Sequence, residues 1–248
     1  MKTSNPACEP FLYQDFREAL TTLKSALSRS SSPYALLLGE SGSGKTTLLR
    51  QLAAQLDQRR FHILYLCQGQ PSPSGLTRVL ADALHLPTRR SRVETGRLLV
   101  ATLRNLSPRF LFWIDEAQRI DDDTLHEIRL LAEADLDAPP LFSVLFSALP
   151  QLRERLLAPQ LFPLWRRIRP KVTLTGLRRG ELVEFLSHSL GKSLAERFEQ
   201  PALDLLFEQS KGIPAVLATF AEECLNTQPK GPIAMQQVAA VLDRIEAS

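Results

Sequence analysis

The amino-acid sequence predicts an α/β fold in which a parallel sheet is covered by helices on both faces. Five segments are almost continuously apolar, as expected of strands that are buried on both faces. Segments with apolar residues three or four positions apart alternate with them, which is typical of amphipathic helices. A chain of 248 residues can bury one large core with a smaller appended lobe.

The predicted strands are rich in Val, Ile, Leu, Phe and Tyr and cover residues 34–38, 61–67, 110–114, 141–148 and 172–177. The predicted helices that accompany them cover 16–27, 45–56, 75–84, 97–106 and 123–131. After residue 177 the helical patterns 181–190, 201–209, 215–226 and 235–245 follow one another with no strand between them. We therefore expect three segments: an N-terminal helical segment at 1–30, an α/β core at 31–177 and a helical lid at 178–248.

Composition limits the environment of the protein. Lys and Arg number 30 against 27 Asp and Glu, an excess that permits an anionic partner without requiring one. Cys8, Cys67 and Cys224 are too few and too scattered for a disulfide framework or a zinc site. No apolar stretch follows Lys2 as in a secretory signal, and no apolar run approaches the ~20 residues that span a bilayer. We expect a cytoplasmic protein without a membrane segment.

A glycine-rich motif lies between the first predicted strand and the helix after it: Gly39-Glu40-Ser41-Gly42-Ser43-Gly44-Lys45-Thr46. Glycines let the backbone approach phosphate oxygens and point its N–H groups at them. Lys45 is then expected at the β- and γ-phosphates of ATP and Thr46 on Mg²⁺, while Thr47 packs or caps the helix. A chance glycine-rich turn is the alternative, but the complete motif between a strand and a helix favours a P-loop.

Two acids, Asp115 and Glu116, end the third predicted strand. Asp115 is expected to hold Mg²⁺ through water, and Glu116 to orient and polarise the attacking water. Such residues suffice because phosphoryl transfer is catalysed mainly by positioning and charge stabilisation. A strand could also end in two acids simply because it reaches a surface loop. Their position about 70 residues after the P-loop favours an ATPase.

The chain resembles one branch of the AAA+ ATPases, which holds the ExeA-like secretion ATPases and transposition helpers of the TniB, TnsC and MuB kind. The resemblance rests on Asp115-Glu116-Ala117-Gln118, on the residues at 125–131 and on Ser210-Lys211-Gly212-Ile213-Pro214. Shorter matches occur at 11–13, 18–20, 150–152 and 167–168, so that it spans about residues 11–242. It implies a sheet of order 5-1-4-3-2, a C-terminal helical lid and ATP turnover at subunit interfaces.

This chain departs from the branch at two sensor positions. Ala148-Leu149-Pro150 stands where relatives have Gly-Gln-Pro, so the usual polar residue facing the γ-phosphate is missing, and Ser147 or Ser143 would have to replace it. Ala215 stands where relatives often carry an arginine that responds to the nucleotide. We therefore expect slow hydrolysis.

Three arginines, Arg166, Arg167 and Arg169, precede the fifth predicted strand, where the resemblance implies an arginine that a neighbouring subunit inserts toward the γ-phosphate. Arg167 is the preferred candidate, although a solvated basic turn would show the same pattern. An arginine that acts in this way requires a homo-oligomer, either a ring or a filament.

A basic loop contains Arg89, Arg90 and Arg92. Such a charge run is commonly no more than a solvated surface. If it contacts DNA phosphates, it would give sequence-independent binding that weakens steeply with salt. Double-stranded DNA is therefore an expected partner.

The functional interpretation is an ATP-dependent regulator that assembles on DNA and controls a transposase or integrase. One alternative is an ExeA-like ATPase of secretion or pilus assembly, and another is a nucleotide-gated DNA- or protein-binding scaffold with little hydrolysis. A small-molecule kinase is disfavoured, because Glu116 beside Asp115 suits the activation of water.

Overall fold

The structure is a computed structural model that describes residues 9–29, 33–66, 72–88, 91–106, 109–134 and 140–246. The chain forms two compact units, and each is described by itself. Among the described residues, the helical unit comprises 9–19, 40–47 and 174–246, and the sheet unit comprises 20–39 and 48–173 within the same limits. The predicted segment boundaries at residues 30 and 177 stay predictions, because each unit combines several stretches of the chain.

Five parallel strands form one sheet in the order β2-β3-β4-β1-β5. Their bounds are β1 Tyr34–Gly39, β2 Phe61–Leu66, β3 Arg109–Ile114, β4 Phe142–Ala148 and β5 Ile168–Leu174. Counted from the other edge this order is 5-1-4-3-2, so the predicted topology is confirmed. The predicted α/β class is confirmed as well.

The last strand begins at Ile168, four residues before its predicted start, and ends at Leu174. It is an edge strand, and along it exposed side chains alternate with buried or half-buried ones. Edge strands accept polar residues and proline, here Arg169 and Pro170. A search for continuous apolar runs misplaces the start of such a strand, whereas β1 and β4 are buried along their whole length.

Helices occur in both the sheet unit and the helical unit. They are α1 Gln14–Arg29, α2 Lys45–Gln55, α3 Pro73–Ala83, α4 Arg92–Arg104, α5 Asp122–Ala132, α6 Gln151–Leu157, α7 Phe162–Arg167, α8 Leu182–Leu190, α9 Lys192–Ala195, α10 Gln200–Ser210, α11 Pro214–Thr227 and α12 Met235–Glu246. Local chemistry sets several starts: Asp121 caps α5 by accepting a hydrogen bond from the Thr124 backbone N–H at 2.6 Å. The short helices α6, α7 and α9 were not predicted.

One face of the sheet carries the main core of the sheet unit. Alternate residues of the central strands pack there with helices α3 to α7, among them Leu36, Leu38, Phe112, Ile114, Val144 and Phe146. Because side chains alternate along a strand, Leu145 and Ser147 of β4 point to the opposite face. In register, β4 lies between β1 and β3, so the carboxyl ends of these three strands meet at one edge.

Among the described residues after Leu174, the helical unit contains five α-helices, and only an isolated bridge between Phe198 and Ile233 has strand character there. Its buried side chains include Leu186, Leu206 and Leu217. No helix of the described part of the chain is both long and apolar enough to cross a membrane.

Two glycines allow backbones to cross closely in this unit. Gly176 and Gly212 have φ of +114° and +70°, and the Leu177 N–H donates to the Gly212 carbonyl at 2.8 Å. A Cβ on Gly212 would lie 2.5 Å from the Leu177 carbonyl oxygen. The glycine of the Ser210–Pro214 segment is therefore needed for packing.

Candidate nucleotide-binding site

The glycine-rich loop connects β1 to α2 as a compact turn. Gly42 and Gly44 have φ of +81° and +92°, in the left-handed region that glycine adopts without strain. The Ser43 N–H donates to the Glu40 carbonyl at 3.2 Å, and the Ser43 side chain is buried. These glycines give the loop a shape in which successive N–H groups can turn toward an anion.

Helix α2 opens with Lys45 and Thr46, and its first turn contains no acidic residue. Its N-terminus therefore presents a partial positive charge that no acidic residue of its own first turn offsets. The Lys45 ammonium donates to the Glu40 carbonyl at 2.9 Å, which holds this charge against the loop.

These residues fit a polyphosphate. The loop supplies two glycines in the required conformation, an ammonium and the free end of a helix dipole. The buried Ser43 hydroxyl, in addition, has no hydrogen-bond partner among the described residues. Thr46 stands at the position where a hydroxyl ligand for Mg²⁺ is expected.

Tyr13 ties the loop to the start of the chain. Its hydroxyl donates to the Ser43 carbonyl at 2.6 Å, and a Cβ on Gly44 would be in ordinary contact with the Phe16 ring, at 3.9 Å. Burial, with the nearby carboxylates of Asp15 and Glu181, raises the pKa of Tyr13 well above its ordinary value. The hydroxyl therefore stays protonated and keeps its role as donor.

Ala215 meets the loop from the start of α11. The Ala215 N–H donates to the Gly42 carbonyl at 3.2 Å, and a Cβ on Gly42 would lie only 2.8 Å from the Ala215 Cβ. Position 215, where relatives often carry an arginine, thus makes a close contact with the backbone of the loop. This contact favours a small side chain at that position. Sequence analysis missed this contact and that of Tyr13, since neither partner lies near the loop along the chain.

The two acids follow β3 in the sheet unit. The Asp115 carboxylate accepts hydrogen bonds from the Tyr65 hydroxyl at 3.2 Å and from the Glu116 backbone N–H at 3.0 Å. Glu116 has φ of +50°, a conformation that is uncommon outside glycine. Its exposed carboxylate forms an ion pair with Arg119 at 2.9 Å. Strained backbone of this kind occurs often at functional sites.

The end of β4 is where a replacement for the missing polar sensor was expected. Ser147 is fully buried, and its hydroxyl has no partner among the described residues. Ser143 lies four residues earlier in β4, roughly 13 Å away along the strand, opposite Leu111 in the register. Ser143 is therefore too far from the carboxyl edge to replace a residue at position 149.

Gln118, which sequence analysis quoted only as part of the resemblance, contacts this end of β4. Its side-chain oxygen accepts a hydrogen bond from the Leu149 N–H at 3.1 Å. The Arg155 guanidinium donates to the Gln118 carbonyl at 2.6 Å and to the Ile120 carbonyl at 2.7 Å. The turn after the two acids is thus fastened to the segment that follows β4.

Arg167 ends α7 and already has internal partners. Its guanidinium lies 3.0 Å from Glu133 and donates to the Pro163 carbonyl at 3.1 Å. Glu133 also accepts a hydrogen bond from the Tyr34 hydroxyl at 3.0 Å. Nearly half of the Arg167 side chain remains exposed, at 47%. The residue borders an open cavity of about 440 Å³ that is also lined by Phe162 and Arg166.

The proposed DNA contacts are only partly within the described residues. Arg89 and Arg90 lie outside them. Arg92 begins α4, and its guanidinium lies 2.5 Å from the largely buried carboxylate of Glu127. Its charge is therefore paired with a carboxylate of the protein, and a contact with DNA at this residue stays a prediction.

Comparison with known proteins gives the family. The AAA domain family model matches residues 28–156, which is more than half of the chain. The chain is 29% identical over 227 residues to General secretion pathway protein A of Aeromonas hydrophila, and the match covers 87% of this chain and 41% of that protein. The chain thus spans about two fifths of the length of this relative.

Solved structures share the fold. Cdc6p of Pyrobaculum aerophilum has a TM-score of 0.69 at 18% identity, covering 97% of this chain and 69% of its own. ORC2 of Aeropyrum pernix has 0.64 at 14%, covering 98% and 70%. The RuvB Holliday junction branch migration motor of Thermotoga maritima has 0.55 at 20%, covering 92% and 68%. At these identities the likeness shows the fold alone.

Fold and site define a P-loop protein of the three-layer α/β type. The chain belongs to the AAA domain family. The predicted AAA+ class is confirmed, whereas its assignment to the transposition helpers stays a prediction.

Proposed function

We propose that this protein binds and hydrolyses ATP with Mg²⁺. The observation that carries the proposal is the loop that opens α2, with its two left-handed glycines, its helix N-terminus without an acid and the ammonium of Lys45. In this proposal Lys45 neutralises the β- and γ-phosphates, while Thr46 and, through water, Asp115 hold the metal ion. Bound Mg²⁺ would supply further charge neutralisation on the phosphates.

Glu116 would orient and polarise the attacking water. Its carboxylate is exposed and paired with Arg119, and both side chains are more than half exposed. An ion pair of this kind contributes little to stability, so Glu116 can exchange it for a water molecule at small cost. Asp115 has both carboxylate oxygens hydrogen-bonded and is held for the metal side of the site.

Glu116→Gln tests this assignment. The variant keeps the shape of the side chain but loses the base, and we expect ATP hydrolysis to fall about 10²- to 10⁴-fold while ATP still binds. Glu154→Gln, an exposed glutamate of α6, is the matched control and should hydrolyse at the wild-type rate. Undiminished hydrolysis in Glu116→Gln would contradict this assignment. ATP binding that survives Lys45→Ala would contradict the proposed role of the glycine-rich loop.

We further propose that the active form is a homo-oligomer in which Arg167 acts on ATP bound by a neighbouring copy. Its exposed position at the end of α7 supports this role, and engagement would replace the ion pair with Glu133. An arginine in this position stabilises charge that develops in the transition state.

Mixing two inactive variants tests action between subunits. Lys45→Ala lacks a working loop but keeps Arg167, whereas Arg167→Ala has the reverse defect. We expect each alone to be inactive and a mixture to recover activity. Arg166→Ala, the neighbouring exposed arginine, is the control for loss of charge alone. A mixture as inactive as its components would show that Arg167 does not act in trans.

We propose that this ATPase serves the same kind of process as General secretion pathway protein A, because the similarity to that protein extends over 87% of this chain. A second candidate is ATP-dependent assembly on duplex DNA, favoured by the mild positive charge and by the fold shared with an Aeropyrum pernix ORC1 protein solved in complex with DNA. Control of a transposase rests on the resemblance alone.

The two candidates differ in their response to DNA. Mass photometry of the wild type and Glu116→Gln with ATP or ADP, with and without duplex DNA, separates them. ATP-dependent assemblies on DNA that weaken with salt would favour the second candidate. Unchanged particles in every nucleotide state would remove it and leave a protein-directed ATPase.

A further inference from the structure

An open cavity of about 470 Å³ lies between α1 and the edge strand β5, and the residues that line it belong to the sheet unit. On α1, Thr21, Ser25 and Arg29 follow one another at intervals of four positions, which places them on one side of the helix. Leu23 and Leu27 are buried on a different side. The polar side of α1 therefore lines the cavity, while its apolar side is covered by the protein.

The cavity offers hydroxyl groups and cations, with no carboxylate among its described lining residues. Three hydroxyl groups come from α1, at Thr21, Thr22 and Ser25. Arg29 of α1 and Arg169 of β5 add a guanidinium each, and the rest of the lining is alanine and proline. Both arginines are exposed, and neither pairs with a carboxylate in the part of the chain that the structure describes. Two positive charges are therefore available to a ligand.

The surroundings of the cavity do not cancel this charge. The C-terminal end of a helix carries a partial negative charge, but here the Arg60 guanidinium donates to the Ser28 carbonyl at 3.1 Å and satisfies one carbonyl of the last turn of α1. Lys171 follows two residues after Arg169. Partial burial and, next in importance, the Arg169 cation lower the pKa of Lys171. The start of β5 thus has an excess of positive charge, which favours an anion.

The donors and the charge match one kind of anion, a phosphate monoester. Such a group carries a charge of about −1.5 to −2 at pH 7 and has three strong acceptor oxygens. Guanidinium groups bind phosphate with paired hydrogen bonds, and hydroxyl groups can donate to the remaining oxygens. A carboxylate has a single charge and two oxygens, so it would leave part of this donor set without an acceptor.

The size of the cavity indicates that the phosphate belongs to a larger molecule. A volume of about 470 Å³ falls in the range of roughly 300–1,000 Å³ that is usual for small-molecule sites. No aromatic side chain is present among the described lining residues to stack on a nucleobase. The organic part is therefore expected to be polar and to lack a base.

We infer that this cavity binds the phosphate monoester of a small polar molecule, such as a sugar phosphate. Arg29 and Arg169 hold the phosphate from two sides, and the hydroxyl groups of α1 donate to its oxygens or contact the polar remainder. A bound ligand would join α1 to β5. This site is separate from the proposed binding of ATP and does not depend on it.

Amide NMR of the full chain tests the inference, with glucose 6-phosphate as the probe and glucose and sulfate as controls. We expect glucose 6-phosphate to shift signals of residues 21–29 and 168–171, while glucose does not. Arg29→Ala with Arg169→Ala should weaken this binding about 10- to 100-fold, because each change removes hydrogen bonds to a charged group. Arg97→Ala with Arg153→Ala removes two exposed arginines elsewhere and should bind like the wild type.

The pH dependence identifies the bound group. The second pKa of a phosphate monoester is about 6, whereas arginine does not titrate near neutral pH, so binding should weaken from pH 7.5 to pH 5.5.

Unchanged affinity in Arg29→Ala with Arg169→Ala would overturn the inference, as would signals that shift only in residues 39–47 of the glycine-rich loop. Sulfate that binds as tightly as glucose 6-phosphate would reduce the cavity to a site for an adventitious ion only. Duplex DNA that displaces glucose 6-phosphate and loses affinity in the same double variant would assign the cavity to nucleic acid and also contradict the inference.

Discussion

The contact between Gly42 and Ala215 leads to a quantitative prediction for Gly42→Ala. A Cβ at this position would lie 2.8 Å from the Ala215 Cβ and 3.4 Å from Cγ2 of Ile213. Carbon atoms in good contact are roughly 3.5–4.0 Å apart. The loop or the start of α11 must therefore move by several tenths of an ångström or more.

Two effects add to the expected loss of stability. An alanine in the left-handed conformation of Gly42, with φ of +81°, costs about 1–2 kcal/mol. Overpacking of a well-packed site costs about 1–3 kcal/mol. The free energy of unfolding should fall by about 2–5 kcal/mol. For a chain of this size that corresponds to a melting temperature lower by about 4–20 °C.

Thermal and urea unfolding without nucleotide measure this change apart from any effect on ATP. Gly96→Ala is the matched control, since Gly96 lies within α4 with nothing inside 4 Å of its added Cβ, and it should raise stability by about 0.5–1 kcal/mol. Ala215→Gly in the Gly42→Ala chain should recover the overpacking part and leave the backbone strain. Wild-type stability of Gly42→Ala would refute the close contact with Ala215.

Three further predictions concern single groups. Tyr13→Phe should lower the free energy of unfolding in urea by about 1–3 kcal/mol, because it leaves the Ser43 carbonyl without its donor, and an unchanged midpoint would contradict this role. A hydrogen bond from Arg155 lowers the pKa of Asp122, so the stability from this pair is present above the ordinary value of 3.8 and is lost as pH falls through the lower folded value. Urea unfolding at pH 7 and pH 3 should therefore show a smaller loss in acid for Arg155→Gln than for the wild type, and equal losses would speak against the pair. Burial raises the pKa of the Cys224 thiol to about 11, so in a Cys8→Ser, Cys67→Ser background a thiol reagent at pH 8 should react only after denaturant is added, and rapid labelling of the native protein would show that the thiol is accessible.

The strand predictions were most accurate for the strands that are most buried. Strands β1, β3 and β4 are central and covered on both faces, so they appear in the sequence as continuous apolar runs. The edge strand β5 alternates and includes Pro170, which displaced its predicted start. Helices α6 and α7, of 7 and 6 residues, complete at most two turns and are too short to show a helical period.

The residues of the site differ in the same way. Some are predictable from a local motif, whereas others take part through contacts between distant parts of the chain. By itself the sequence determined the class of fold and the order of most elements. It also predicted a phosphate-binding loop, because glycines, a lysine and a threonine at fixed spacing describe one local backbone shape. Only the tertiary structure decided that Tyr13 and Ala215 hold this loop, that Glu133 pairs with Arg167 and that Gln118 supports the end of β4. These contacts join residues 30 or more positions apart, and such pairings leave no period or spacing in the sequence, since they arise when packed elements bring the chain back upon itself.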